Sequence, residues 1–160
     1  MKNVTLTVNK AYVYDEVAKT TSYAGAKMMA EDVNAYDRIF TTDEDRLLLE
    51  RFWLEVADTV TSNFMPFIKG VPNNPINHGV GLWENYEAVL ELPSSYDDNL
   101  TKSIETALYN FFVLSIVGRW YMVTNKAEAE ALALQAAGVM IDIMQKIYYK
   151  KKPTRIPVNE

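Results

Sequence analysis

Cysteine is absent from this 160-residue sequence, and histidine occurs once, at His78. The first absence excludes disulfides, thiol nucleophiles and cysteine-ligated zinc, and it points to an intracellular origin. The second leaves a single residue for any imidazole base or catalytic triad. Long apolar runs are missing too. The longest, Phe111 to Val117, is interrupted by Ser115 and closed by Gly118-Arg119. That is far short of the ~20 residues a membrane-spanning helix needs. The opening Met1-Lys2-Asn3-Val4-Thr5-Leu6 lacks the continuous apolar stretch of a secretory signal. No membrane association is expected.

What is present suits a folded domain. Hydrophobic residues make up 49% of the chain and aromatics 12%, ten of them Tyr. A chain of this length buries roughly 70% of the surface its unfolded form exposes, so it needs no disulfide or metal staple. Tyr combines a large ring with a polar tip, which serves cores and protein–protein interfaces alike. The net charge of −5 is unevenly spread. Residues 1–100 carry 8 Lys/Arg against 16 Asp/Glu, and residues 101–160 carry 8 against 5. The acidic first part argues against general nucleic-acid binding.

Local patterns divide the chain into elements. Val4, Leu6 and Val8 alternate with Thr5 and Thr7, so residues 3–8 predict a short strand. Asn9 is placed to cap a helix over about 10–20, with Val13 and Val17 on one face. The run Thr20 to Gly25 predicts a break, and another short helix fits before Phe40. Thr41 stands three residues ahead of Glu44, a capping-box spacing, with Asp43 and Asp45 crowding the same turn. A helix over about 43–65 follows, with Leu49, Phe52, Val56 and Val60 as its core stripe, widened by Leu48 and Trp53. Pro66 stops it.

Gly70, Pro72, Pro75, Gly79 and Gly81 mark a long loop over 69–82. A second strand is predicted over 86–92, where Tyr86, Ala88, Leu90 and Leu92 alternate with intervening residues until Pro93. Two lone strands pair with each other or with a neighbouring subunit. Asp97, Asp98 or Asn99 caps a third helix of about 98–123, whose core face is Leu100, Ile104, Ala107/Leu108, Phe111 and Leu114/Ser115. Asn125, with Glu128 three residues on, opens a fourth helix of about 126–149 carrying Leu132, Ala136, Val139, Ile143 and Ile147 at helical spacing. So short a connection makes the last two helices an antiparallel αα-hairpin. No internal repeat or composition shift divides the chain. The expectation is a mainly α fold of about four helices and two short strands. Residues 1–149 would form a single domain, and 150–160 a basic, proline-containing tail.

The residues that could carry chemistry have simpler roles. His78 lies among Asn73, Asn74 and Asn77 and reads as a solvated loop histidine, since triads and metal sites need convergent partners. Asp43, Glu44 and Asp45 are explained by the helix start they occupy, as are Asp97 and Asp98. Neither acidic run has calcium-loop spacing, and Glu44, Asp45 and Glu55 lack the Glu-x-x-His pattern of di-iron bundles. Gly79-Val80-Gly81 lacks the remainder of a phosphate loop, and no Ser lies in a G-x-S-x-G elbow. No catalytic, metal-binding or cofactor-binding residue is expected, nor any cofactor.

Two features point outward. Lys150, Lys151, Lys152 and Arg155 place four cations in six residues, directly after Tyr148-Tyr149. They read either as a solvated helix end that complements the dipole, or as an arm stiffened by Pro153 and Pro157 that docks on an acidic partner surface or near nucleic acid. Trp53, Trp83 and Trp120 suit the core or its edge. Trp83, which closes the long loop, has the alternative of anchoring an interface.

The order of these parts resembles the head–tail connector (adaptor) proteins of tailed bacteriophages. An early helix like Tyr14-Asp15-Glu16-Val17-Ala18 precedes a capped acidic start like Thr42-Asp43-Glu44-Asp45-Arg46-Leu47-Leu48-Leu49. A long helix, an irregular β-containing middle and a final helix pair come next. The Thr41–Phe52 segment and the ending Tyr148 to Arg155 are also similar to neck or ring proteins of phages and prophages of gut Bacteroidales. The resemblance implies a non-catalytic virion subunit of a homo-oligomeric, commonly twelvefold ring beneath the portal protein. The ring would contact further neck or tail proteins and surround DNA without reading its sequence. Residues 148–160 would reach toward the portal, and loop 69–82 and strand 86–92 would contact neighbouring subunits. The chain departs from the family pattern by being longer at its N-terminus and in that loop. The alternatives are a small helical adaptor that binds one protein, and an enzyme with an unfamiliar acidic site.

Overall fold

The β-branched alternation at the start of the chain forms an eight-residue strand, β1 (Lys2–Asn9), and Asn9 turns it directly into α1 (Lys10–Met28). The Asn9 side-chain oxygen accepts the Tyr12 N–H at 3.1 Å, as its position before the helix implies. The computed structural model describes residues 1–70 and 85–155. Beyond α1 come α2 (Ala35–Ile39), a 3-10 turn (Asp43–Asp45), α3 (Arg46–Phe64), β2 (Ile68–Gly70) and β3 (Asn85–Leu92). A second 3-10 turn (Asp98–Leu100) leads into α4 (Thr101–Thr124), and Asn125 alone separates it from α5 (Lys126–Tyr148). The fold is mainly α: four long helices and a short one stand against a small antiparallel sheet.

The sheet has the order β1-β3-β2. Val4, Leu6 and Val8 lie opposite Leu90, Ala88 and Tyr86, and all six are buried on the face turned to the helices. The two expected strands therefore pair with each other. A third strand, β2, was not foreseen: three residues just after Pro66 are too few to show an alternation. Its register is irregular, Ile68 facing Leu90 and Gly70 facing Val89.

Where the expectation of a break at Thr20–Gly25 fails, the reason is tertiary. Thr21 is fully buried, and its hydroxyl donates to the Val17 carbonyl at 2.9 Å, so it satisfies itself inside the helix. Gly25 is the contact point with α2: a Cβ there would stand 2.9 Å from the Tyr36 Cα. Gly25→Ala is therefore expected to lower stability by about 1–2 kcal/mol. The overpacking penalty exceeds the helix-propensity gain of ~1 kcal/mol. A urea unfolding midpoint checks this, and a raised midpoint would show that α2 yields.

The cap of α3 is displaced by one residue from its expected position. Thr41 is buried, and its N–H donates to Thr21 Oγ1 at 3.2 Å, tying the segment to α1. The helix start is instead closed by Thr42 and Asp45: the Asp45 carboxylate accepts the Thr42 N–H at 2.9 Å. Asn125 does not cap α5 with its side chain. Its amide faces Met28 Sδ at 3.6 Å.

The core is one continuous cluster, and α4 lies at its centre. The single stripe expected for this helix is too narrow. Phe112, Val113, Ile116, Val117, Trp120 and Tyr121 are buried as well, because α1, α3, α5 and β1 all pack on α4. Phe112 meets Trp53 at a ring-centroid distance of 4.6 Å and Tyr86 at 5.4 Å. The Trp120 indole N–H donates to the Ile39 carbonyl at 2.6 Å, which fixes α2 over the end of α4.

Candidate functional site

Two of the acidic residues at helix starts, Asp45 and Asp97, act as caps, and Asp98 pairs instead with Lys2 at 2.7 Å. Besides Asp45, the Asp97 carboxylate accepts the Asn99 N–H at 3.1 Å where α4 begins. Asp43 and Glu44 are exposed beside that first turn of α3. Among the described residues, no three carboxylates or imidazoles are grouped so as to hold one metal ion. His78 and Trp83 lie outside the described residues.

The tail is built on the end of α5. Tyr148 closes the helix and sets its ring edge-on to Phe67, with centroids 5.1 Å apart. Tyr149 is non-helical, and the chain then pairs with the turn after β3. Lys150 bridges to Tyr96, and the Lys151 N–H donates to the Ser95 carbonyl at 2.9 Å. This anchoring fixes where the basic segment leaves the body, a feature that composition alone did not suggest. Lys150, Lys151, Lys152 and Arg155 are all exposed, and none is ion-paired among the described residues. Tyr148 and Tyr149 are half-exposed beside them, so the structure brings six of the seven candidate residues to one end of the molecule.

No known protein family, characterised protein or solved structure matches this chain. The surface must therefore be read from its own chemistry.

Next to the tail runs a trough that the sequence did not indicate. α3 and α5 flank α4 and leave a hollow of about 630 Å³, floored by Leu114, Gly118 and Met122 and walled on one side by Ala133 and Ala137. A second hollow of about 450 Å³, reaching Tyr148 and Tyr149, shares Asn63, Met140 and Ile141 with it. The two form one apolar channel that ends at the aromatic pair. Arg119 is a charge at its border, and Glu55 neutralises it through a 2.6 Å contact. The channel offers contact area for an apolar partner, with Thr59, Asn63 and Ser115 as polar groups in its lining.

A buried ion pair also escaped the sequence reading. The Lys10 ammonium lies 3.1 Å from Glu50 Oε2 and 3.0 Å from Oε1, only the first well aligned, and both side chains are under 10% exposed. The Tyr14 hydroxyl faces the same carboxylate and is held protonated, first by burial and then by the Glu50 charge. Lys10 and Glu50 fall on the apolar faces of α1 and α3, and a charge at a core-facing position is the signal that marks such a pair. The pair joins α1 to α3 beneath a hollow of about 490 Å³ that Ala11, Tyr14, Asp43 and Arg46 line.

Proposed function

We propose that this chain is a structural subunit of a phage head–tail connector, a ring that joins the portal protein to the tail and surrounds the DNA exit channel. The observation that carries the reading is the end of the molecule where α5 stops. Two half-exposed tyrosines and four cations, unpaired among the described residues, leave a firmly anchored base, an arrangement suited to gripping a neighbour. The resemblance in the order of elements supports the same role. The four cations are suited to an acidic protein surface, and binding through them weakens with salt. They are too few for more than weak, sequence-independent contact with DNA. The protein would then be made in the host cytoplasm and reside in the virion neck.

The test is assembly on isolated portal rings, followed by co-sedimentation and negative-stain imaging. The expected result is a portal complex bearing a second ring. Reversing Lys150, Lys151, Lys152 and Arg155 to Glu should weaken it at least tenfold. Because these side chains are exposed, the four changes together should move unfolding free energy by no more than about 2 kcal/mol. A protein that ignores portal rings and instead forms a one-to-one complex with a single partner would favour the small-adaptor reading.

A further inference from the structure

Helix α5 carries two apolar seams, and the fold uses only one. The first, through Ala129, Ala136, Met140, Ile143 and Ile147, is buried on the body. The second, through Ala127, Ala131, Leu134, Gly138, Ile141 and Gln145, follows the alternating four-and-three spacing of a helix–helix seam, and every member is exposed. Leu134 is 70% and Ile141 60% exposed. From Ala131 to Ile141 the helix holds no charge. A Cβ placed on Gly138 would meet no atom within 4 Å, so another backbone can approach closely there. The wall of the apolar trough, at Ala133 and Ala137, lies beside this seam on the same helix.

We propose that this seam and the adjoining trough form a two-fold interface, in which α5 of a second copy of this chain lies antiparallel on α5 of the first. The charge pattern of the helix selects that occupant and that direction. Lys126, Glu128 and Glu130 give its start a net charge of −1, the middle is neutral, Asp142 and Lys146 pair with each other at 2.6 Å, and Lys150, Lys151 and Lys152 follow its end. Run antiparallel, the acidic start of each copy meets the basic end of the other. Run parallel, two lysine clusters would collide. A two-fold pair needs one surface that is complementary to itself, and a crest beside a recess supplies it. With the crossing at Ala137 and Gly138, Leu134 of one copy faces Ile141 of the other, beside the trough that Ile141 also lines.

The pair is a property of the free chain and does not rest on the connector reading, which is tested on portal rings. Light scattering on the purified protein should give twice the 18.3 kDa of one chain. Leu134→Glu combined with Ile141→Glu should return the mass to that of one chain and leave the helical circular dichroism unchanged, since both side chains are exposed in the monomer. Direction is read by cross-linking, which is unambiguous in a chain without cysteine. Protein bearing Leu134→Cys, mixed with protein bearing Ile141→Cys and allowed to exchange, should form the mixed disulfide, and Leu134→Cys alone should not. A wild-type mass of one chain would overturn the proposal. Efficient self-linking of Leu134→Cys, or a larger ring without the mixed disulfide, would do the same.

Discussion

Lys10→Ala is expected to destabilise the protein by about 3–5 kcal/mol, the usual cost of leaving one member of a buried ion pair unmatched. Glu50 would keep its carboxylate in a site that is 7% exposed, with the Tyr14 hydroxyl as its main remaining neighbour. For a domain of this size the thermal midpoint should fall by roughly 10 °C. The double variant Lys10→Met with Glu50→Leu tests the cause, because it removes both charges and keeps the volume. It should recover most of the loss, since well-packed apolar replacements of buried pairs are often neutral or better. If Lys10→Ala lowered the urea-unfolding free energy by less than about 1 kcal/mol, water would have to reach Glu50 in the variant.

Alkali should unfold the protein through its buried tyrosines. Burial pushes the Tyr86 hydroxyl up to about 12 from 10.0, against a smaller opposing effect of its 3.0 Å contact with Thr61. Burial and the Glu50 carboxylate drive Tyr14 further in the same direction. A phenol whose pKa is raised by folding stays protonated in the native state while the unfolded chain ionises. Stability from this source is complete below pH 10, the unfolded value, and is lost as pH climbs toward 12, the folded value of Tyr86. At 1.36 kcal/mol per pKa unit, Tyr86 alone accounts for a loss on the order of 2–3 kcal/mol across that window. Thermal midpoints measured between pH 9 and 12 should fall steeply, and Tyr86→Phe should flatten the slope. An unchanged slope in that variant would assign the alkaline loss to Tyr14 and the other tyrosines.

The candidate site was legible only in part. Tyr148, Tyr149 and the cations after them stood out by composition, and their shared position at one end of the body follows from the helix they terminate. Their anchoring through Tyr96 and Ser95 did not show, because those residues lie more than fifty positions away and carry no motif. The exposed seam of α5 was hidden for a different reason. Its alanines, Leu134 and Ile141 are as apolar as the core stripe about half a turn away, and periodicity cannot say which apolar face is covered. Only packing on α4 decides it.

Local chemistry settled the elements that interact mainly with themselves. Alternation of β-branched residues made β1 and the alternation of Tyr86, Ala88, Leu90 and Leu92 made β3, Asn9 and Asp97 capped what they precede, Pro66 came two residues after α3 ended, and one residue at Asn125 sufficed to fold α4 back on α5. Long-range contact settled the rest. α1 runs through Thr21 and Gly25 because α2 and Thr41 pack there, and the box of α3 moved to Thr42 and Asp45 because Thr41 was already engaged. α4 is buried on nearly every side because four other elements need its surface. A propensity or a cap acts over three or four residues and can be read in order along the chain. Burial depends on which partners arrive from elsewhere, and that is known only once the whole chain has closed on itself.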